Sequence, residues 1–132
     1  MTEHLIQKVD CVRFFVSDLD DGLAFYRDKL GHELIWRTED QVGLRIPGSR
    51  AEIVLHTESQ PPEIDFSVDA TDEAVVRFEK AGGTIIVPPF DIQIGRCAVV
   101  QDPWGNQFVF LDSSKGMLVT DEEGNVIGNA QE

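Results

Sequence analysis

The chain states one pattern twice, 52 residues apart. Val12 and Ile64, Phe14 and Phe66, Val16 and Val68, Leu23 and Val75, Tyr26 and Phe78, and Gly31 and Gly83 all keep that offset. The match lies in pattern rather than identity, and it spans a strand, a helix and the glycine that closes the helix. Self-similarity at a fixed period marks a repeated supersecondary unit, so the economical reading is a duplicated strand-helix-strands module.

In the first copy, period-two alternation places Val12, Phe14 and Val16 on one face and Cys11, Arg13 and Phe15 on the other, as in a half-buried strand. Asp18 is positioned to cap a helix with Leu19, Leu23, Phe25, Tyr26 and Leu30 as its apolar stripe and Gly31 as its stop. Strands are expected over 32–38, 42–46 and 52–57, with Gly48 and Ser49 in the intervening turn. Pro61 and Pro62 cannot donate to a ladder, and they separate the modules. The second copy reads as a strand over 63–68, then a helix capped by Thr71 that buries Ala74, Val75, Phe78 and Ala81. Strands over 84–88, 96–101 and 107–112 follow, the last two joined by a tight turn at Asp102-Pro103-Trp104-Gly105-Asn106. The order is βαβββ, repeated: residues 1–60 form the first module, 61–112 the second module of the same domain, and 113–132 a C-terminal extension. Within that extension, residues 117–120 and 126–127 can pair as a hairpin around Asp121 to Asn125. It could cover a sheet edge, cover a partner subunit, or fray.

A chain of 132 residues suits one compact domain that needs no disulfide or structural metal. No apolar run reaches membrane-spanning length, and Met1-Thr2-Glu3-His4 does not begin a secretory signal, so a cytoplasmic protein is expected. Cys11 and Cys97 are then expected to be reduced. The 24 acidic residues against 11 basic ones give a formal charge of −13, which opposes binding to nucleic acid and to anionic membranes. That charge would favour a cationic ligand, or it could serve solubility alone.

Phe15-Val16-Ser17-Asp18-Leu19 running into Ala24-Phe25-Tyr26 and Leu30-Gly31, the echo in the second module, and Asp102-Pro103-Trp104-Gly105-Asn106 before the last strand share an order and spacing. Over about residues 8 to 112 this resembles the glyoxalase, bleomycin-resistance and extradiol dioxygenase family, also called the vicinal oxygen chelate superfamily. The resemblance implies an α+β fold in which two tandem βαβββ modules curl a mixed sheet into a cup, with helices outside and the ligand inside. It also implies a homodimer. In enzymatic members it implies a divalent metal held by His, Glu or Gln from the first and last strand of each module.

Those positions fall at Cys11, Val54, Glu63 and Val109. The repeat agrees, because Cys11 and Glu63 are again 52 apart and the two valines centre Ile53-Val54-Leu55 and Phe108-Val109-Phe110. Valine has no donor atom, and hard divalent metals take oxygen or nitrogen ligands. The expectation is therefore a cup with no metal or other cofactor, with a divalent metal as the alternative. His56 could replace Val54 only by a register slip, and a slip of one residue turns it to the wrong face.

The expected ligand-binding residues are Cys11, Arg13, Phe15, Trp36, Glu52, Val54, His56, Glu63, Asp65 and Val109. His56 and Glu63 are the candidates for general acid-base work. Each has a structural alternative: Arg13 could form an ion pair with Glu63 or Asp65, His56 could be an ordinary hydrogen-bonded side chain, Cys11 could simply pack, and Trp36 could fill a sheet edge. Trp104, in its turn, reads as structural. The expected function is metal-independent binding of an aromatic or cationic metabolite or antibiotic. The alternative is a metal-dependent lyase, isomerase or dioxygenase.

Overall fold

In a computed structural model, which describes residues 4–130, the chain forms two compact units. One comprises residues 10–64 with 119–128; the other comprises residues 65–118 with 4–9 and 129–130. Each carries one βαβββ module, and the fold is α+β as the repeat predicts.

In the first unit, β1 (Lys8–Phe15), whose Lys8 and Val9 group with the other unit, and α1 (Leu19–Leu23) lead to β2 (Leu34–Arg37), β3 (Gln41–Arg45) and β4 (Glu52–His56). The strand order is β2-β3-β4-β1, with β1 parallel to β4 and the other pairs antiparallel. Asp18 caps α1 by accepting the Asp21 N–H at 3.0 Å. The helix does not continue as expected: Ala24–Lys29 is a π-helical stretch, in which the Leu30 N–H donates to the Phe25 carbonyl at 3.0 Å. This wider turn carries Leu30 off the buried face; Leu30 and Phe25, read from sequence as part of the stripe, are about half exposed at 51% and 50%, Phe25 because two residues of helix set it roughly opposite Leu23. Leu23, Val42, Leu44 and Leu55 form the core, with Phe14, Val16, Leu19, Tyr26, Leu34 and Ile53 around them. Each fully buried Leu or Val contributes about 1.5–3 kcal/mol relative to exposure.

The second unit holds β5 (Glu63–Ser67), α2 (Thr71–Lys80), β6 (Thr84–Asp91), β7 (Arg96–Gln101) and β8 (Gln107–Leu111), ordered β5-β8-β7-β6. Glu63 and Ile64, at the start of β5, group with the first unit. Ala74 and Val75 of α2 pack with Val68, Ala98, Val100 and Phe110, and Phe78 meets Phe108 and Phe110 edge to face. Ala81, expected in the buried stripe, is exposed, and so is Ile64 of β5.

Thr71 does not cap α2. The N-cap position is Ala70, which has no capping side chain, and the Thr71 N–H donates to Asp112 Oδ2 at 2.8 Å. Asp112 Oδ1 also accepts from the Arg96 N–H (3.0 Å), the Ser114 N–H (3.1 Å) and the Ser114 hydroxyl (2.7 Å). A carboxylate 41 residues away in sequence thus does what a local Ser or Thr usually does. Gly95 lets the chain pass against it, since a Cβ there would overlap the Asp112 carboxylate and backbone.

The C-terminal segment forms a hairpin of β9 (Met117–Thr120) and β10 (Val126–Ala130). Its turn lies on the outer edge of β2, where the Arg37 N–H donates to the Gly124 carbonyl at 2.7 Å. That edge would otherwise present unpaired backbone groups.

Candidate functional site

The face of the first unit opposite its core carries most of the residues singled out from sequence. Ile53 and Leu55 of β4 join the core, so alternation turns Glu52, Val54 and His56 the other way. The same rule turns Cys11, Arg13 and Phe15 of β1 and Gln41 and Gly43 of β3 to this face. Strand pairing sets Cys11 opposite Glu52, Arg13 opposite Val54 and Phe15 opposite His56.

Trp36 reaches this face by a different route. Leu34 faces the core, and unbroken alternation would put Trp36 beside it. A bulge intervenes: Leu34 pairs with Leu44 while Trp36 pairs with Gly43, so two residues of β2 oppose one of β3. The indole then lies over Gly43, where any Cβ would overlap the ring, and its Nε1–H donates to Glu52 Oε1 at 2.7 Å. Gly43 was not among the residues singled out from sequence.

Arg13 donates through Nη1 to Gln41 Oε1 at 2.9 Å and lies 3.3 Å through Nε from Glu63 Oε2. The ion pair expected between Arg13 and Glu63 forms. Gln41, which sequence reasoning missed, completes the clamp and carries no composition or spacing signal. Holding the guanidinium on two sides fixes its plane and limits its freedom to follow a ligand.

His56 ends β4 and is 2% exposed. Its Nδ1 accepts the Glu58 N–H at 3.2 Å, which leaves the proton of the neutral ring on Nε2. Burial lowers its pKa, as does the Arg13 charge, against the opposing pull of Glu58 and Glu63. Cys11 and Val54 are buried on the same face, and Phe15 is 44% exposed.

Asp65 and Val109 belong to the second unit, where both are buried and pair with each other across β5 and β8. That register repeats the Arg13–Val54 pairing of the first unit, since Arg13 and Asp65 are 52 apart. The two valines are therefore equivalent positions of the duplicated module.

The residues present do not fit a divalent metal. Val54 and Val109 offer no donor atom, the Nδ1 of nearby His56 already accepts a backbone N–H, and Glu63 is engaged by Arg13. Among the described residues no group of three or more His, Cys, Asp or Glu side chains could hold a metal ion. Nor, among them, is any helix long and apolar enough to cross a membrane.

The fold matches solved structures at low sequence identity. Methylmalonyl-CoA epimerase from Mycobacterium tuberculosis superposes with a TM-score of 0.74 at 19% identity, covering 86% of this chain and 93% of that one. Hypothetical protein BH1468 from Bacillus halodurans gives 0.68 at 18% identity, with 80% and 93% covered. Homoprotocatechuate 2,3-dioxygenase from Brevibacterium fuscum gives 0.62 at 24% identity, where 82% of this chain matches 37% of the longer enzyme. No curated protein matches the sequence. The family model for the Glyoxalase/Bleomycin resistance protein/Dioxygenase superfamily matches residues 8–110, and with the repeated βαβββ module and the paired valine positions already in place, the chain belongs to that superfamily.

Proposed function

We propose that this protein binds a small aromatic or cationic organic molecule without a metal, on the first-unit face that carries Trp36, and that it acts by capture rather than by metal-assisted turnover. The observation that carries this reading is the seating of Trp36. A strand bulge, a glycine with no room for a Cβ and a 2.7 Å hydrogen bond to Glu52 combine to hold one indole on a face that also bears Arg13, Phe15 and His56. A rigid aromatic wall with a few placed polar groups is the usual make-up of a small-molecule site. Valine at two of the family's ligand positions supports binding without metal and argues against the lyase, isomerase and dioxygenase alternatives. Acid-base work by His56 with Glu63 is disfavoured, because Glu63 is tied to Arg13 and His56 Nδ1 to the backbone. The reading includes a cytoplasmic homodimer, in which the buried Cys11 and Cys97 stay as thiols rather than a disulfide.

The test is a fluorescence titration in a Trp104→Phe background, which leaves Trp36 as the reporter. A panel of planar aromatic cations, anions and neutral molecules is added with and without EDTA. Saturable quenching at one ligand per chain, unchanged by EDTA, is the expected result. Silence across the panel, or binding that disappears on chelation, would overturn the proposal.

A further inference from the structure

The least explained group on the candidate face is His56. It is 2% exposed, and its Nε2 is buried with no hydrogen-bond partner among the described residues. Because Nδ1 accepts the Glu58 N–H, the neutral ring carries its proton on Nε2, so the orphan is a donor. Buried donors are nearly always paired, and one left open in a native fold calls for a missing acceptor.

The surroundings indicate which acceptor. His56 lies between Phe15 on β1 and Gln41 on β3 by strand pairing, with Arg13 one step back along β1. Burial and the Arg13 charge both favour the neutral, N–H-donating ring, while Glu58 and Glu63 oppose them. A donor beside a guanidinium suits an oxygen with partial or full negative charge and repels an ammonium. Gly43, beneath the Trp36 indole, is one strand over and two residues along from His56. By sheet geometry that is roughly 8 Å, about the length of a fused aromatic ring with a carboxyl group.

We propose that His56 Nε2–H is the recognition group for an sp² oxygen of the ligand, so that the molecule bound is an aromatic carboxylate or aryl carbonyl with its ring on Trp36 and its oxygen on His56. The inference rests on the aromatic-binding reading above and narrows it, selecting an oxygen acceptor over a cation. The N–H is screened from solvent, so an adjacent side chain must move to admit the oxygen. Phe15, directly across the β1–β4 pair and partly exposed, is the neighbour with room to do so.

The experiment compares 2-naphthoate with 2-naphthylmethylammonium, which shares the ring and lacks the acceptor. Binding is read by Trp36 fluorescence and by long-range nitrogen–proton NMR of the full chain labelled at histidine, with His56 assigned by difference using His56→Gln. Expected are a naphthoate affinity about tenfold above that of the ammonium, and a naphthoate-dependent shift at Nε2 of His56 with little change at Nδ1. His56→Phe should remove the naphthoate preference, bringing the two probes to similar affinity; should that variant fail to fold, the wild-type NMR shift still decides. Equal binding of the two probes, or an unmoved Nε2, would overturn the His56 assignment while aromatic binding stands. No binding of either probe would overturn both.

Discussion

Trp36 Nε1–H donates to Glu52 Oε1 at 2.7 Å across the width of β3, and the indole spans the gap by lying on Gly43. The bond joins an edge strand to the strand two places inward. The position of the aromatic wall therefore depends on a carboxylate and on a missing side chain, each on a different strand.

Gly43→Ala should displace the indole. The added methyl overlaps the ring, and relieving that contact costs about 1–3 kcal/mol. Thermal melting should register the loss, and Trp36 fluorescence should shift toward the value of a solvated indole. Any aromatic ligand identified for this face should bind several-fold more weakly; unchanged melting and emission would show that the indole is not fixed by Gly43.

Removing Asp112 should destabilise the second unit far more than a surface substitution would. Asp112→Ala strips a helix cap and leaves the Thr71 and Arg96 N–H groups without their acceptor, a loss of about 2–4 kcal/mol in urea unfolding. Burial alone would raise the Asp112 pKa, but the hydrogen bonds from Thr71, Ser114 and Arg96 hold it below the ordinary carboxylate value. Its contribution is thus complete above about pH 4 and lost as pH falls through the depressed native value. Asp112→Asn should flatten that acid limb, and an unchanged limb would refute the assignment.

His56 predicts a second pH effect with the same sign. Its native pKa lies below the ordinary value, so as pH falls below about 6.5 the unfolded chain takes up a proton that the native chain refuses. Stability should decline through that range and level off once native His56 is protonated. Burial sets most of the depression, Arg13 adds to it, and Glu58 and Glu63 oppose it. Comparing wild type with His56→Gln isolates the effect, and coincident profiles would refute it.

Protein purified without affinity nickel, incubated with Zn, Mn, Ni or Fe(II) and desalted should retain far less than one metal per chain. Near-stoichiometric retention would contradict the donor set found at Cys11, Val54, Glu63 and Val109, and would send the search to glyoxalase and dioxygenase chemistry.

The sequence by itself determined the duplicated βαβββ order, the two faces of β1 and β4, the Asp18 cap and the equivalence of Val54 and Val109. All of these follow from local periodicity, from turn and capping residues, or from an offset readable along the chain. Only the tertiary structure decided that Thr71 is capped by Asp112, that Ala24–Lys29 widens into a π-helical turn, that Trp36 reaches the candidate face by a bulge, and that Gln41 and Glu63 share Arg13. The Asp112 cap and the shared Arg13 join residues distant in sequence, the Trp36 bulge is defined only against its neighbouring strand, and the π-helical turn inserts one residue into a helix without a local sequence mark. A one-residue change in pairing moves a side chain through the sheet, and the chain alone carries no mark of where that happens.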